Sequence, residues 1–83
     1  MQKDLKVFTM VNKELDSARS KYTPFNSAHE GYATILEELD ELWDEIKKQP
    51  DKRSMVNMRK EAVQVAAMAI RFIHDVCYSD DSR

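Results

Sequence analysis

Residues 62–73 constrain this chain more than any other stretch. Ala62, Val63, Val65, Ala66, Ala67, Met68, Ala69, Ile70, Phe72 and Ile73 set apolar side chains around almost the whole circumference of a helix. A helix of that kind must be enclosed on most sides. The chain has 83 residues, and domains near this size leave much of their surface unburied. Two further short helices cannot wrap a third on all sides. The expectation is therefore an all-α oligomer with this helix at its centre, where the small alanines permit close approach of neighbouring helices.

The remainder divides readily. The single Gly and the two Pro leave little else to interrupt a helix, and both prolines fall where apolar periodicity lapses, so they punctuate rather than kink. Leu5, Phe8, Val11, Leu15 and Ala18 recur at steps of three and four, which predicts an amphipathic helix over about 2–21. Tyr22-Thr23-Pro24-Phe25-Asn26 breaks that pattern. Ser27 followed by Glu30 reads as a capping box for a second helix over about 27–48, with Tyr32, Ile35, Leu36, Leu39, Leu42, Trp43 and Ile46 on its apolar side and Lys47 and Lys48 suited to its C-terminal end. Gln49–Ser54 is a short polar connection. A third helix is expected over about 54–76, then a polar tail at 79–83, the whole forming one domain over 1–83.

Several classes are disfavoured. The longest apolar stretch is interrupted by Arg71 and His74 and preceded by Glu61, so no segment reaches the ~20 apolar residues a membrane span needs. The formal net charge of −2 includes no basic block suited to phosphate backbones, and nucleic acid is not an expected partner. A lone Cys77 and the absence of an apolar leader in residues 1–20 suggest a reducing, cytoplasmic setting.

The acids are arranged more specifically. At 100° per residue, Glu38, Glu41 and Glu45 lie within about 60° of one another along one border of the apolar stripe of the second helix. Like charges at this spacing repel, and more strongly as they approach an apolar interior. On a generic helix such a row is simply a solvated face, with Lys47 and Lys48 nearby. Glu61, however, projects near Val65, Met68 and Phe72, among residues expected to be buried, with Gln64 one turn on. A carboxylate there needs a counter-charge or a cation. Glu38 and Glu41 are the facing groups, and acids converging from two helices suit an oxygen-ligated divalent cation, Mg²⁺ or Mn²⁺, better than zinc.

Glu37-Glu38-Leu39-Asp40-Glu41 followed by Glu61-Ala62-Val63-Gln64 resembles the signature of the MazG-like, all-α nucleoside triphosphate pyrophosphohydrolases, related to the dimeric dUTPases. That signature is Glu-Glu-x-x-Glu on one helix and Glu-x-x-Asp on the next. The resemblance covers roughly His29 to Val76. It implies subunits whose helices pair into four-helix bundles as a dimer or tetramer. It also implies Glu38, Glu41 and Glu61 as catalytic metal ligands, with Glu37 a weaker or outer ligand. The implied reaction is metal-dependent hydrolysis of a nucleoside triphosphate to monophosphate and pyrophosphate. Gln64 departs from the pattern: it stands where the family has aspartate and supplies a carbonyl oxygen in place of a charge, which weakens the hold on a hard cation. Glu45 or Asp44 are possible substitutes. For the phosphates, Arg71, within about 20° of Gln64, is the preferred contact, with Lys60 beside it and Arg59, Lys47 and Lys48 as further cations.

The other conspicuous side chains have plainer readings. His29 fits an exposed helix start, Trp43 and Tyr32 fit core or interface packing, and Met55, Met58 and Met68 fit gap filling. His74 and Cys77 lack the further ligands of a zinc site. Two rival readings accompany the enzyme: a catalytically silent helical oligomer that binds nucleotide or a protein partner, and a helical interaction module with no nucleotide link.

Overall fold

The computed structural model describes residues 2–78 and contains helices and turns only. Helix α1 spans Gln2–Lys21, α2 spans Ala28–Ile46 and α3 spans Met55–Phe72, after which the chain continues as a π-helical turn over Ile73–Cys77. A short 3₁₀ turn, Pro50–Lys52, joins α2 to α3. The tail expected at 79–83 lies outside the described residues.

Caps explain the boundaries. Ser27 Oγ accepts from the Glu30 N–H at 3.0 Å, one half of a capping box. The other half is displaced: the Glu30 carboxylate accepts from the Asn26 N–H, one residue earlier than the cap itself. Ser54 caps α3 in the same way, accepting from the Asn57 N–H at 3.0 Å. Helix α2 stops at Ile46 rather than Lys48. Lys47 is its C-terminal cap, Pro50 opens the 3₁₀ turn, and the Arg53 side chain donates to the exposed Ile46 carbonyl at 2.7 Å. Helix α3 leaves α geometry after Phe72, and the Tyr78 N–H reaches the Ile73 carbonyl, an i→i−5 bond.

Helix α3 is the centre of the fold. Both α1 and α2 pack on it and hardly touch one another, so the α1 side and the α2 side of α3 are separated by a groove. The core is small: Val11, Leu15 and Ala18 from α1, Phe25 from the connection, and Ala67 and Met68 from α3, with Ile35, Val63, Phe72 and Val76 packed against it. Burying one such large side chain contributes about 2 kcal/mol. The α2–α3 contact is close at its open end. A Cβ added at Gly31 would lie 2.5 Å from Phe72 Cδ2, so only glycine lets the two helices meet there.

The enclosure expected around α3 is incomplete within one chain. Ile70 is exposed on α3 and Ile73 at the start of the π-helical turn, Leu5 and Phe8 on α1, and Tyr32, Leu36, Leu39 and Trp43 form an exposed row on α2. Spacings of four, three and four residues place that α2 row on one face of the helix, away from the face that meets α3.

Candidate metal centre

The antiparallel pairing of α2 with α3 brings together the acids that the sequence separates. Glu38 and Glu41 lie one turn apart on α2, and Glu61 sits opposite them on α3. One carboxylate oxygen from each falls within 4.8 Å of the others. Glu38 and Glu61 are half-buried, whereas Glu41 is exposed. Oε1 of Glu38 and Oε1 of Glu61 are each shut off from solvent with no hydrogen-bond partner. A buried acceptor left in that state costs on the order of 1–3 kcal/mol, more when charged.

The electrostatics record the same conflict. Burial, together with repulsion from Glu41, Glu61, Glu37 and Glu14, pushes the Glu38 carboxyl up to about 7. Glu61 is also raised, by burial and by Glu41, whose carboxyl lies within hydrogen-bonding reach; Lys60 acts in the opposite direction. Three carboxyls so placed require shared protons or a bound cation.

The neighbouring lysines leave this cluster alone. Lys47 pairs with Asp44 at 3.0 Å and Lys48 with Glu45 at 3.0 Å. Of the row Glu38, Glu41 and Glu45 only Glu41 is exposed; the Glu45 side chain is 17 % exposed, and Glu45 and Asp44 are each already engaged by a lysine. Gln64 and Glu37 join Glu38 along the wall of a recess of about 710 Å³ between α1, the 22–25 connection, α2 and α3. Lys60 lines a separate recess.

Arg71 also borders the larger recess, but its guanidinium is committed to the protein. It is 4 % exposed, donates to the Thr23 carbonyl at 3.0 Å and to Met68 Sδ at 3.4 Å, and stacks on Phe25 with its centre 4.2 Å from the ring centroid. Its Nε lies 3.9 Å from Asp75 Oδ2, and that carboxylate accepts from the Phe25 N–H at 3.1 Å. Burial opposes the ionisation of Asp75, but bonds from His74 and the Phe25 N–H and the charge of Arg71 outweigh it and hold the carboxyl below its ordinary range. Together Arg71 and Asp75 staple the 22–25 connection to the end of α3. The aromatic pair Tyr22 and Phe25 thereby becomes part of the recess wall. Neither Asp75 nor Phe25 carried a signal in the sequence pattern: Phe25 falls where periodicity breaks, and Asp75 stands within the expected third helix with nothing to mark it as a partner of Arg71.

His29 is exposed at the start of α2, and His74 Nδ1 donates to the carboxylate of its neighbour Asp75 at 3.1 Å. Cys77 is free and exposed. Among the described residues no helix is long and apolar enough to cross a membrane. Compared with known proteins, the chain gives no significant match to a family model, a curated protein or a solved structure.

Proposed function

We propose that this chain is a divalent-cation-dependent nucleoside triphosphate pyrophosphohydrolase of the MazG-like kind, working as a homo-oligomer. The observation that carries the reading is the convergence of Glu38, Glu41 and Glu61, with one buried, unpartnered oxygen on Glu38 and another on Glu61. Carboxylate oxygens without competing donors fit a hard cation, Mg²⁺ or Mn²⁺, and the lack of nitrogen or sulfur donors in the cluster argues against zinc. Glu37 and Gln64 stand beside Glu38 on the recess wall, as outer contributors. When bound, such a cation would neutralise charge on the phosphates and acidify a water molecule.

The residues divide the remaining work. Glu38 and Glu61, held by helix packing, would supply ligand oxygens and give up, on binding a cation, the protons that burial favours on them. Glu41, the exposed member of the triad, is the one a solvent molecule reaches, and it is the group suited to accept the proton of the attacking water. Water adds across the bond between the α- and β-phosphates, leaving a monophosphate and pyrophosphate. The recess of about 710 Å³ is of the size that ordinarily holds a small organic ligand.

The oligomer is supported by the exposed row Tyr32, Leu36, Leu39 and Trp43 and by exposed Ile70 and Ile73. A second copy covering Ile70 and Ile73 would add to the enclosure of α3, and the α2 row is a further apolar surface for it to cover. In a silent relative, the same cluster would bind nucleotide without cleaving it, because Gln64 removes one carboxylate from the family pattern.

Pyrophosphate release from a panel of canonical and modified nucleoside triphosphates, with Mg²⁺, Mn²⁺ or chelator, separates these readings. Metal-dependent release by the natural chain is expected. No release by the natural chain, but release by Gln64→Asp, would replace the enzyme with the silent relative. No release by either, together with no cation binding, would remove the site altogether.

A further inference from the structure

One recess has Glu38 of the acidic triad in its wall, and a second, of opposite character, shares Glu14 with it. The larger, of about 710 Å³, is bordered by Glu14, Glu30, Glu37 and Glu38 against only Lys21 and Arg71, and Arg71 turns its donors on Thr23 and Met68. The smaller, of about 340 Å³, lies between the middle of α1 and the first turns of α3, with Met10, Val56 and Val63 as its apolar floor. Its rim carries Lys13, Arg59 and Lys60 against a single carboxylate, Glu14. Glu14 is a wall of both recesses, so they are neighbours along one groove. None of the three cations forms an ion pair among the described residues. Glu38 places the triad at the larger recess, and Lys60, on the rim of the smaller one, is near enough to Glu61 for its charge to oppose the upward shift of that carboxyl.

A nucleoside triphosphate is itself asymmetric, with an uncharged base and sugar at one end and a densely anionic tail at the other. Resting on the function proposed above, we infer that the recess rimmed by Lys13, Arg59 and Lys60 holds the β- and γ-phosphates and then the released pyrophosphate, while the nucleoside occupies the larger recess. The charges dictate this polarity. The tail would meet mostly carboxylates in the larger recess, whereas the smaller offers one guanidinium fork and two ammonium groups. Cleavage next to the triad then leaves pyrophosphate where cations already hold it. Arg71 in this arrangement is a positioning residue that shapes the nucleoside end, and Lys13 on α1 is a polyphosphate contact.

Calorimetric titration of the full chain with inorganic pyrophosphate, in Mg²⁺ and in chelator, tests the assignment. Lys13→Gln and Arg59→Gln are each expected to weaken pyrophosphate binding by about tenfold, as loss of a charge-assisted phosphate contact does. Lys21→Gln, on the rim of the larger recess, should leave it unchanged. Equal weakening by Lys21→Gln, no weakening by the other two, or no pyrophosphate binding at all would overturn the polarity. Triphosphate hydrolysis that ignores Lys13 and Arg59 would overturn it too and leave the enzyme reading standing. Pyrophosphate binding that needs both cations, in a chain that cleaves nothing, would support the basic recess as a pyrophosphate site and remove the hydrolase.

Discussion

The Arg71 guanidinium lies face-on to Phe25, 4.2 Å from the ring centroid, and this stack fixes the connection between α1 and α2 against the end of α3. A buried cation of this kind is sustained by its ring, its carbonyl acceptor and Asp75 together. Replacing Arg71 with Met is expected to leave Asp75 buried without its cation and to destabilise the chain by about 2–4 kcal/mol. Lysine should rescue only part of the loss, because an ammonium group cannot stack flat on the ring. Urea denaturation followed by circular dichroism measures both; equal stability of Arg71→Met and the natural chain would show the network to be idle.

Glu61 presents a trade-off between stability and binding. In the metal-free chain its charge is opposed by burial and by Glu41, so Glu61→Gln should raise the thermal midpoint while lowering affinity for Mn²⁺ by at least about tenfold. Mn²⁺ titration followed by electron paramagnetic resonance reads the affinity, and differential scanning calorimetry in chelator reads the stability. Unchanged Mn²⁺ affinity would sink the proposed centre.

The pH dependence of the chelated chain follows from two opposite shifts. Glu38 titrates at about 7 in the folded chain against an ordinary 4.5. Between those values the unfolded chain has lost the proton that the folded chain keeps, and stability therefore falls as pH rises through this window. After screening by solvent the loss should amount to about 1–2 kcal/mol. Asp75 acts the other way: its carboxyl is held below the ordinary range, and its contribution disappears as pH drops below about 4. Thermal midpoints in chelator are expected to peak near pH 4–5 and decline toward neutrality. Saturating Mg²⁺ should flatten that decline, because a cation competes with the protons on the same oxygens.

Self-association should run through the exposed row of α2. Leu39 is 47 % exposed between Leu36 and Trp43, so Leu39→Arg costs the single chain little but places a charge in any interface formed there. Sedimentation velocity at micromolar concentration is expected to show an oligomer for the natural chain and a monomer for the variant. A natural chain that sediments as a folded monomer would exclude the assembly.

Much of the helical layout was legible because it depends on local rules. Periodicity, the Ser27 cap and two prolines are read from neighbouring residues, and α1 spans the stretch that the pattern of Leu5 to Ala18 implied, whereas the Ser54 cap of α3 emerged only in the structure. The ends of α2 and α3 were less legible. Arg53 reaching back to Ile46 and the π turn after Phe72 are contacts between residues that no period relates. The triad was legible too, for the anomaly was local: Glu61 sits among residues whose pattern demands burial.

What the order of residues determined by itself was three helices, a third helix apolar around most of its circumference, and acids on facing stripes. The pairs Lys47–Asp44 and Lys48–Glu45 are local, three residues apart at the end of α2, but only the tertiary structure decided that no cation of another helix forms an ion pair with the triad among the described residues. It also turned Arg71 inward onto Phe25 and set Lys13 of α1 beside Arg59 and Lys60 of α3. Periodicity gives the side of a helix on which a side chain stands, but charge pairing depends on a few ångströms between helices, and those are set only when the helices pack.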